Sequence, residues 1–190
     1  MGEGSDKTQS FRDEACTLDL ISESSVHTQE IGRRLGKLVG AGDLLLLDGQ
    51  LGTGKTTFTQ GLASGMNIAE VVNSPTFTLL KEYQGRGSDV ADDSQNKQPS
   101  ELALYHFDLY RLDEPEEIFD LGFEDYFYGS GVSVVEWADK AEALWSDERL
   151  YIRLRSIDET RRRLTFVATG ARYCELLQQF QKNMYATTRS

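Results

Sequence analysis

Apolar residues along the chain fall into short runs and helical repeats that predict alternating strands and helices. Leu44 to Leu47 is an uninterrupted apolar run, as in a strand that is buried on both faces. Residues 132–135, Val-Ser-Val-Val, predict a second buried strand. After the first run, apolar side chains recur at helical spacing, at Phe58, Leu62, Ala63 and Met66. Buried strands followed by helices are typical of an α/β protein with a mainly parallel sheet.

The N-terminal part of the chain predicts one strand and one helix before the first buried run. Residues 17–21 alternate between polar and apolar side chains, as an edge strand does. Ser24 and Ser25 can then cap a helix that ends at Gly40 and Gly42. The buried side of this helix is predicted to carry Val26, Ile31, Leu35, Leu38 and Val39.

The C-terminal half predicts two helices and a pair of antiparallel strands. Residues 116–121 form a short helix with acidic residues in its first turn, and Gly122 ends it. Residues 150–154 and 164–168 alternate on either side of a turn at 158–160, which predicts an antiparallel hairpin. A last amphipathic helix carries Cys174, Leu176, Leu177 and Phe180 on its apolar side.

A glycine-rich motif lies between the first buried strand and the helix that follows it. Residues 49–56, Gly-Gln-Leu-Gly-Thr-Gly-Lys-Thr, fit G-x-x-x-x-G-K-[ST] at every fixed position. Glycines let backbone N–H groups point inward at an anion, and the helix dipole adds positive charge there. An ordinary glycine turn before a helix would leave Lys55 and Thr56 unexplained. The predicted phosphate-binding residues are Gly49, Gly52, Thr53, Gly54, Lys55, Thr56 and Thr57.

Two acidic residues follow or end predicted strands. Glu136 ends the buried run at 132–135, which is the Walker B arrangement, and with the Thr56 hydroxyl it is predicted to bind Mg²⁺. The alternative is a carboxylate that caps the next helix. Asp108 lies near the end of a strand predicted over 102–110 and needs a cation or a hydrogen-bond donor as its partner. His106, on the same face, is predicted to be either a core histidine or a catalytic one.

The segment at 73–78, Asn-Ser-Pro-Thr-Phe-Thr, concentrates hydroxyl groups beside the expected phosphate end of the sheet. Its proline is incompatible with a central strand. The segment is therefore either a switch-like loop or a turn that Phe77 anchors. Together with the motif and the strand pattern, it predicts an α/β, P-loop NTPase-like three-layer sandwich with a mainly parallel central sheet and added antiparallel strands.

Length and composition predict one soluble domain. The 190 residues are predicted to form a flexible tail at 1–16, a domain at 17–182 with a disordered loop at 84–100, and a tail at 183–190. No apolar stretch is long enough to span a membrane, and no targeting segment is visible. Cys16 and Cys174 fit no zinc spacing and are expected to be reduced, as in the cytoplasm. A net charge of −11 argues against strong direct binding of nucleic acid.

Four motifs occur together and in order: residues 49–58, the Ser-Pro-Thr-Phe run at 74–77, Tyr-His-Phe-Asp-Leu-Tyr-Arg-Leu at 105–112, and Val-Glu-Trp at 135–137. Over about residues 17–170 the chain resembles the TsaE family, bacterial-type ATPases of tRNA threonylcarbamoyladenosine biosynthesis. The loop at 84–100 is longer than such proteins usually carry, and the N-terminal tail is extended. The resemblance therefore assigns no function to these two segments.

The resemblance implies an ATP-binding, Mg²⁺-dependent ATPase. It would act with a threonylcarbamoyl transferase subunit and its partner subunit in modifying adenosine 37 of tRNAs that read ANN codons. It implies that Lys55 holds phosphates, that Thr56 and Glu136 serve Mg²⁺, and that Asp108 serves hydrolysis or coupling. Thr28 matches a position near the nucleotide base in relatives. Either Arg161 or Arg162 matches a basic position that contacts the nucleotide.

Two other functions are compatible with a P-loop. In a nucleotide-dependent interaction module, ATP would order a surface for partner proteins and hydrolysis would reset it. A small-molecule kinase usually supplies several arginines in a lid, whereas the long polar loop here holds only Arg86 and Lys97. Phosphate that appears on an added acceptor would indicate a kinase.

Overall fold

A computed structural model describes residues 16–86, 101–114, 117–120 and 122–186 of the chain. Residues 1–15 of the tail predicted at 1–16, residues 87–100 of the loop predicted at 84–100 and the last four residues lie outside this part. The elements are β1 Cys16–Ser22, α1 Ser25–Gly36, β2 Leu44–Asp48, α2 Lys55–Gly65, β3 Leu80–Gln84, β4 Ala103–Asp108, α3 Glu117–Asp120, α4 Glu124–Phe127, β5 Val132–Glu136, a 3₁₀ helix Ala138–Leu144, β6 Arg149–Ser156, β7 Arg162–Thr169 and α5 Ala171–Ala186.

The described strands form one sheet of seven in the order β1-β7-β6-β2-β5-β4-β3. Its centre is parallel, since β2 pairs in parallel with β5 and β6, and β5 pairs in parallel with β4. Strands β1, β7 and β3 are added in antiparallel orientation. The fold predicted from the sequence is therefore confirmed, including the β6–β7 hairpin and β1 at one edge.

Strand β3 was not predicted. Its sequence is Leu-Lys-Glu-Tyr-Gln, and of these five side chains only that of Tyr83 is buried. A short strand at the edge of a sheet needs few apolar side chains, because one of its two long sides has no neighbour. Hydrophobic periodicity alone therefore carries little information about such a strand.

Side chains of β2 divide the core into two layers. Leu45 and Leu47 pack on one face of the sheet with residues of α1, α2 and α5. Leu44 and Leu46 pack on the other face with residues of α3, α4 and the 3₁₀ helix. All four leucines are fully buried, as the apolar run predicted. Helices thus cover both faces of the sheet at its centre.

Helices α1 and α2 approach each other through glycines. A Cβ atom added at Gly36 would lie 2.1 Å from the carbonyl oxygen of Leu62, and one at Gly61 would lie 2.0 Å from that of Gln29. Both distances are far below van der Waals contact, so neither position has room for a side chain. The two helices therefore pack backbone to backbone.

Helix α1 differs from its prediction at two points. It ends at Gly36 instead of at Gly40 and Gly42, and Val26, expected on its buried side, is 72% exposed. The buried stripe runs through Thr28, Ile31, Gly32 and Leu35. Val26 precedes Thr28 by two residues, or about 200° around a helix, and it therefore lies on the opposite side.

The expectation that both cysteines are reduced is wrong for this structure. Cys16 and Cys174 form a disulfide, with their Cα atoms 5.5 Å apart. Cys16 begins β1 opposite Ala168 of β7, and α5 follows β7 after a tight turn. Antiparallel pairing of the first and last strands thus joins residues that are 158 positions apart.

Within the described residues, no helix is both long and apolar enough to cross a membrane.

Candidate nucleotide-binding site

The glycine-rich motif forms the loop between β2 and α2 that its sequence predicts. Gly52 and Gly54 have φ values of 81° and 100°, in the left-handed region that glycine adopts without strain. Gly54 caps the N-terminus of α2, and Lys55 is its first residue. Backbone N–H groups at this end of the helix have no intrahelical acceptor, and the helix dipole makes the site favourable for an anion.

Lys55 is folded over this loop. Its ammonium group donates hydrogen bonds to the carbonyl oxygens of Gly49 (2.5 Å) and Gln50 (3.0 Å) and lies 4.2 Å from the centre of the Trp137 ring. The side chain is 5% exposed. Burial lowers the pKa of Lys55 below its usual 10.5, while the charges of Glu136 and Asp108 act in the opposite direction.

Glu136 lies at the C-terminal end of β5, between β2 and β4. It is paired with Leu47 of β2 and with Asp108 of β4 in the sheet register. The Thr56 hydroxyl, in the first turn of α2, donates to Glu136 Oε1 at 3.0 Å and lies 3.3 Å from Oε2. The structure therefore brings together the two residues that the sequence proposed for Mg²⁺.

His106 contacts the same carboxylate from β4. Its Nε2 is 2.8 Å from Glu136 Oε1, and its side chain is fully buried. The sequence left open whether His106 is a core or a catalytic residue, and it gave no sign of this contact. The register supplies one, because His106 and Glu136 lie on adjacent parallel strands, two positions apart diagonally.

Asp108 connects the site with the segment at 73–78. Its Oδ2 accepts hydrogen bonds from Ser74 and Thr76, the latter at 3.1 Å. Its Oδ1 accepts from the backbone N–H of Tyr110 at 2.9 Å. Asp108 is only 2% exposed, and these hydrogen-bond donors supply the partners that a buried carboxylate needs. Asp108 therefore holds the hydroxyl-rich segment against the end of the sheet.

Two clefts lie on either side of the loop's glycines. One, of about 310 Å³, is lined by residues that include Lys55, Thr56, Asp108, Glu136 and Trp137. The other, of about 250 Å³, is lined by Ser24, Ser25, Thr28, Gly52, Thr53, Gly54, Thr57, Glu159, Thr160 and Arg162. Of the predicted residues, Gly52, Gly54 and Thr57 line both clefts, whereas Gly49 and Arg161 line neither.

The second cleft distinguishes Arg161 from Arg162, between which the sequence could not choose. Arg162 lines it, and its guanidinium donates to the carbonyl oxygens of the turn, including that of Asp158 at 2.9 Å. Arg161 instead forms an exposed ion pair with the Asp158 carboxylate at 2.6 Å. Thr28 is 1% exposed, and its hydroxyl is 2.7 Å from that of Ser22. The geometry favours Arg162 as the arginine beside a bound nucleotide.

The donor set fits a Mg²⁺ ion that a nucleotide shares. Among the described residues, no group of three or more His, Cys, Asp or Glu could hold a metal ion. Mg²⁺ is commonly bound by one or two protein oxygens together with substrate phosphates and water. The Thr56 hydroxyl and the Glu136 carboxylate beside the P-loop supply such oxygens. The site is chemically suited to a nucleoside triphosphate with its divalent cation.

Comparison with known proteins decides the family. A family model described as "Threonylcarbamoyl adenosine biosynthesis protein TsaE" matches residues 22–164, which include every predicted site residue. The chain belongs to the TsaE family. The resemblance found in the four sequence motifs is thereby confirmed.

Curated relatives agree with this family. The "tRNA threonylcarbamoyladenosine biosynthesis protein TsaE" of Bacillus subtilis is 40% identical over 156 residues, which cover 82% of this chain and 89% of that protein. The protein of the same name from Treponema pallidum is 37% identical over 145 residues, or 76% of this chain and 96% of that one.

A solved structure shares the fold. The crystal structure of Bacillus subtilis YdiB superimposes with a TM-score of 0.71 and 34% sequence identity, and the match covers 90% of this chain and 98% of that one. The two relatives thus match 76–82% of this chain in sequence, and the solved structure matches 90% of it in three dimensions.

Proposed function

We propose that this chain is a Mg²⁺-dependent ATPase required for the threonylcarbamoylation of adenosine 37 in tRNAs that read ANN codons. It acts in the cytoplasm with the threonylcarbamoyl transferase subunit and that enzyme's partner subunit. Membership of the TsaE family supports the pathway, since the relatives are named for tRNA threonylcarbamoyladenosine biosynthesis. The ATPase activity, the cation and the partners are the further steps of the proposal.

The observation that carries the ATPase assignment is the contact between Thr56 and Glu136 beside Lys55. It joins the start of the P-loop helix to the end of a neighbouring parallel strand, with a 3.0 Å hydrogen bond. In P-loop NTPases these are the positions of the Mg²⁺-binding hydroxyl and of the Walker B carboxylate. The cation, when bound with the triphosphate, neutralises charge that develops on the phosphate oxygens.

Lys55 would bind and orient the triphosphate in this scheme. Its ammonium group exchanges the carbonyl oxygens of Gly49 and Gln50 for phosphate oxygens, which are stronger acceptors because they are charged. The Trp137 ring, over which the ammonium group lies, favours the cationic form of the lysine. Burial around the ammonium group excludes water and strengthens its attraction to phosphate.

Asp108 would couple the phosphates to the segment at 73–78. Its carboxylate holds the Ser74 and Thr76 hydroxyls, and all three side chains line the cleft that contains Lys55. A change of charge in that cleft therefore acts on the same hydrogen bonds that position the segment. This arrangement suits a switch-like loop, one of the two alternatives that the sequence left open.

Exposed apolar side chains at the cleft favour a second candidate, the nucleotide-dependent interaction module. Leu51, in the P-loop, is 82% exposed, and Phe77, in the switch-like segment, is 84% exposed. The guanidinium carbon of Arg111 lies over the Phe77 ring, 4.4 Å from its centre. Large apolar groups beside a ligand site commonly mark protein–protein contacts. In this candidate, nucleotide binding itself, and not turnover, would control the partner.

Phosphate release distinguishes these functions. We would measure it for the isolated protein, with tRNA alone, and with the purified transferase and its partner subunit, and measure tRNA modification in the same samples. We expect slow hydrolysis alone and faster hydrolysis with the two proteins, because none of the described arginines, Arg111 beside Phe77 included, lines the cleft that contains Lys55. A net charge of −11 disfavours stimulation by naked tRNA.

Three results would each contradict one part of the proposal. Modification that proceeds equally well with a non-hydrolysable ATP analogue would favour the interaction module. Stimulation by tRNA alone that equals the stimulation by the two proteins would show that RNA is the activating partner. A third result, phosphate transferred to an added acceptor, would indicate a kinase instead.

A further inference from the structure

His106 occupies a position in β4 where its imidazole is enclosed by the core. It lies on the same face of the strand as Leu104, which belongs to the core layer that contains α1 and α2. Its side chain is fully buried, so it contacts neither solvent nor a bound nucleotide. Within the described residues, its one hydrogen-bonded contact is with Glu136 Oε1 at 2.8 Å. Any influence of His106 on ATP hydrolysis must therefore pass through Glu136.

The contact determines which nitrogen of His106 carries hydrogen. An ionised carboxylate only accepts hydrogen bonds, and therefore Nε2 is the N–H donor in this contact. Nδ1 is buried without a hydrogen-bond partner in the described part of the chain. It is the one buried side-chain nitrogen or oxygen of that part in this condition. An unpaired buried polar atom costs folding free energy, which an apolar side chain at this position would not incur.

The two oxygens of Glu136 have different surroundings. Oε1 receives both close contacts, from His106 at 2.8 Å and from Thr56 at 3.0 Å, whereas Oε2 has only the longer approach of Thr56 at 3.3 Å. Thr56 is itself a candidate cation ligand, and its hydroxyl can rotate. The buried imidazole cannot, because the core surrounds it. His106 is therefore the fixed anchor of the carboxylate.

We propose that His106 is a positioning residue for ATP hydrolysis: its Nε2–H holds Oε1 of Glu136 and thereby leaves Oε2 available to the Mg²⁺ that accompanies the nucleotide. The proposal rests on the proposed ATPase function. A ligand that is held by a hydrogen bond from an outer residue binds metal more tightly, and loss of such a partner typically costs about 10- to 100-fold in metal affinity or activity. The unpaired Nδ1 is the cost of this arrangement.

Two substitutions separate the hydrogen bond from the packing. His106→Gln places an amide N–H at about the distance of Nε2 from the backbone, and it can still donate to Oε1. His106→Asn has the same chemistry on a side chain that is one methylene shorter, and it cannot reach. Both amides are smaller than imidazole, so they affect the packing in the same direction. A difference between the two variants therefore reports the hydrogen bond.

The first readout is binding, measured by calorimetry with ADP at a series of Mg²⁺ concentrations and with EDTA. We expect His106→Asn to raise the Mg²⁺ concentration at half-effect about 10-fold or more, and His106→Gln to stay within about 3-fold of the parent. Affinity for ADP in EDTA should be equal in all three proteins. Hydrolysis with the partner proteins should follow the same order.

The second readout is the tautomer in the unmodified side chain, by ¹⁵N NMR of histidine-labelled protein. The chain has two histidines, and a His27→Gln variant leaves one set of signals. We expect hydrogen on Nε2, the nitrogen that contacts Glu136. This measurement stands even if His106→Asn fails to fold.

Three results would overturn the proposal: an Nε2 without hydrogen, an equal loss of Mg²⁺ response in both variants, or no loss in either. If the parent protein binds ADP with Mg²⁺ but hydrolyses no ATP with its partners, the ATPase proposal fails. The tautomer and the Mg²⁺ dependence of ADP binding would still decide the role of His106.

Discussion

Replacement of Lys55 gives the sharpest test of the phosphate-binding site. On binding ATP, the ammonium group gives up two hydrogen bonds to backbone carbonyl oxygens, at 2.5 and 3.0 Å, and gains contacts with charged phosphate oxygens. The net gain is about that of one charge-assisted hydrogen bond, roughly 1.5–3 kcal/mol. At 1.4 kcal/mol per tenfold change, Lys55→Met should weaken ATP binding about 10- to 150-fold.

The same substitution has a predictable effect on stability. Burial lowers the pKa of Lys55, so the folded state binds fewer protons than the unfolded chain as pH rises towards 10.5. Below this window the buried charge costs folding free energy, and the cost disappears as pH rises through it. Lys55→Met removes the cost at pH 7. The variant should therefore be at least as stable as the parent at pH 7 and lose this advantage near pH 10.5.

Calorimetric titration with ATP and Mg²⁺ at pH 7 measures the first effect, and urea unfolding at pH 7 and near pH 10.5 measures the second. Lys55→Arg is the control, because it keeps the charge but has a different shape. Equal ATP affinity in Lys55→Met and the parent would refute the phosphate-binding assignment. A marked loss of stability at pH 7 would show that the two carbonyl contacts outweigh the burial of charge.

Three further predictions concern the carboxylate, the hairpin arginines and the disulfide. Glu136→Gln should lower Mg²⁺-dependent hydrolysis far more than nucleotide binding, since an amide keeps the shape but loses the charge; hydrolysis at the parent rate would move the Walker B role elsewhere. Arg162→Ala should weaken nucleotide binding several-fold and Arg161→Ala should not, by calorimetry; the reverse order would reject the cleft geometry. Cys174→Ser should lower the free energy of unfolding by up to about 5 kcal/mol, the loop-entropy value for a separation of 158 residues. The difference from the parent should vanish in dithiothreitol, and its persistence there would assign the loss to packing.

The predictions from sequence succeeded where a local pattern determines the structure. Residues 44–47 are all leucine, residues 132–135 are apolar apart from Ser133, and both segments form central strands with fully buried side chains. The P-loop motif specifies its own glycine conformations and the start of α2. In these segments each residue's environment depends mainly on neighbours in the chain, so periodicity and turn chemistry contain the necessary information.

The features that were missed depend on neighbours distant in the chain. Strand β3 forms because β4 offers it a free edge, and its own sequence is mostly polar. The disulfide forms because β1 returns to pair with β7. The contact of His106 with Glu136 follows from the register of β4 against β5. The residue spacing within a single segment predicts none of these three features.

The glycine contact between α1 and α2 has a mechanical consequence. Thr28, on α1, lines one cleft, and Lys55, at the start of α2, lines the other. Because Gly36 and Gly61 bring the two backbones together with no side chain between them, the helices can neither slide nor separate without breaking that contact. The two helices are therefore expected to move as one unit and to keep the distance between the two clefts constant. In the proposed ATPase cycle, a change of shape around the nucleotide would then fall to the segment at 73–78 that Asp108 holds.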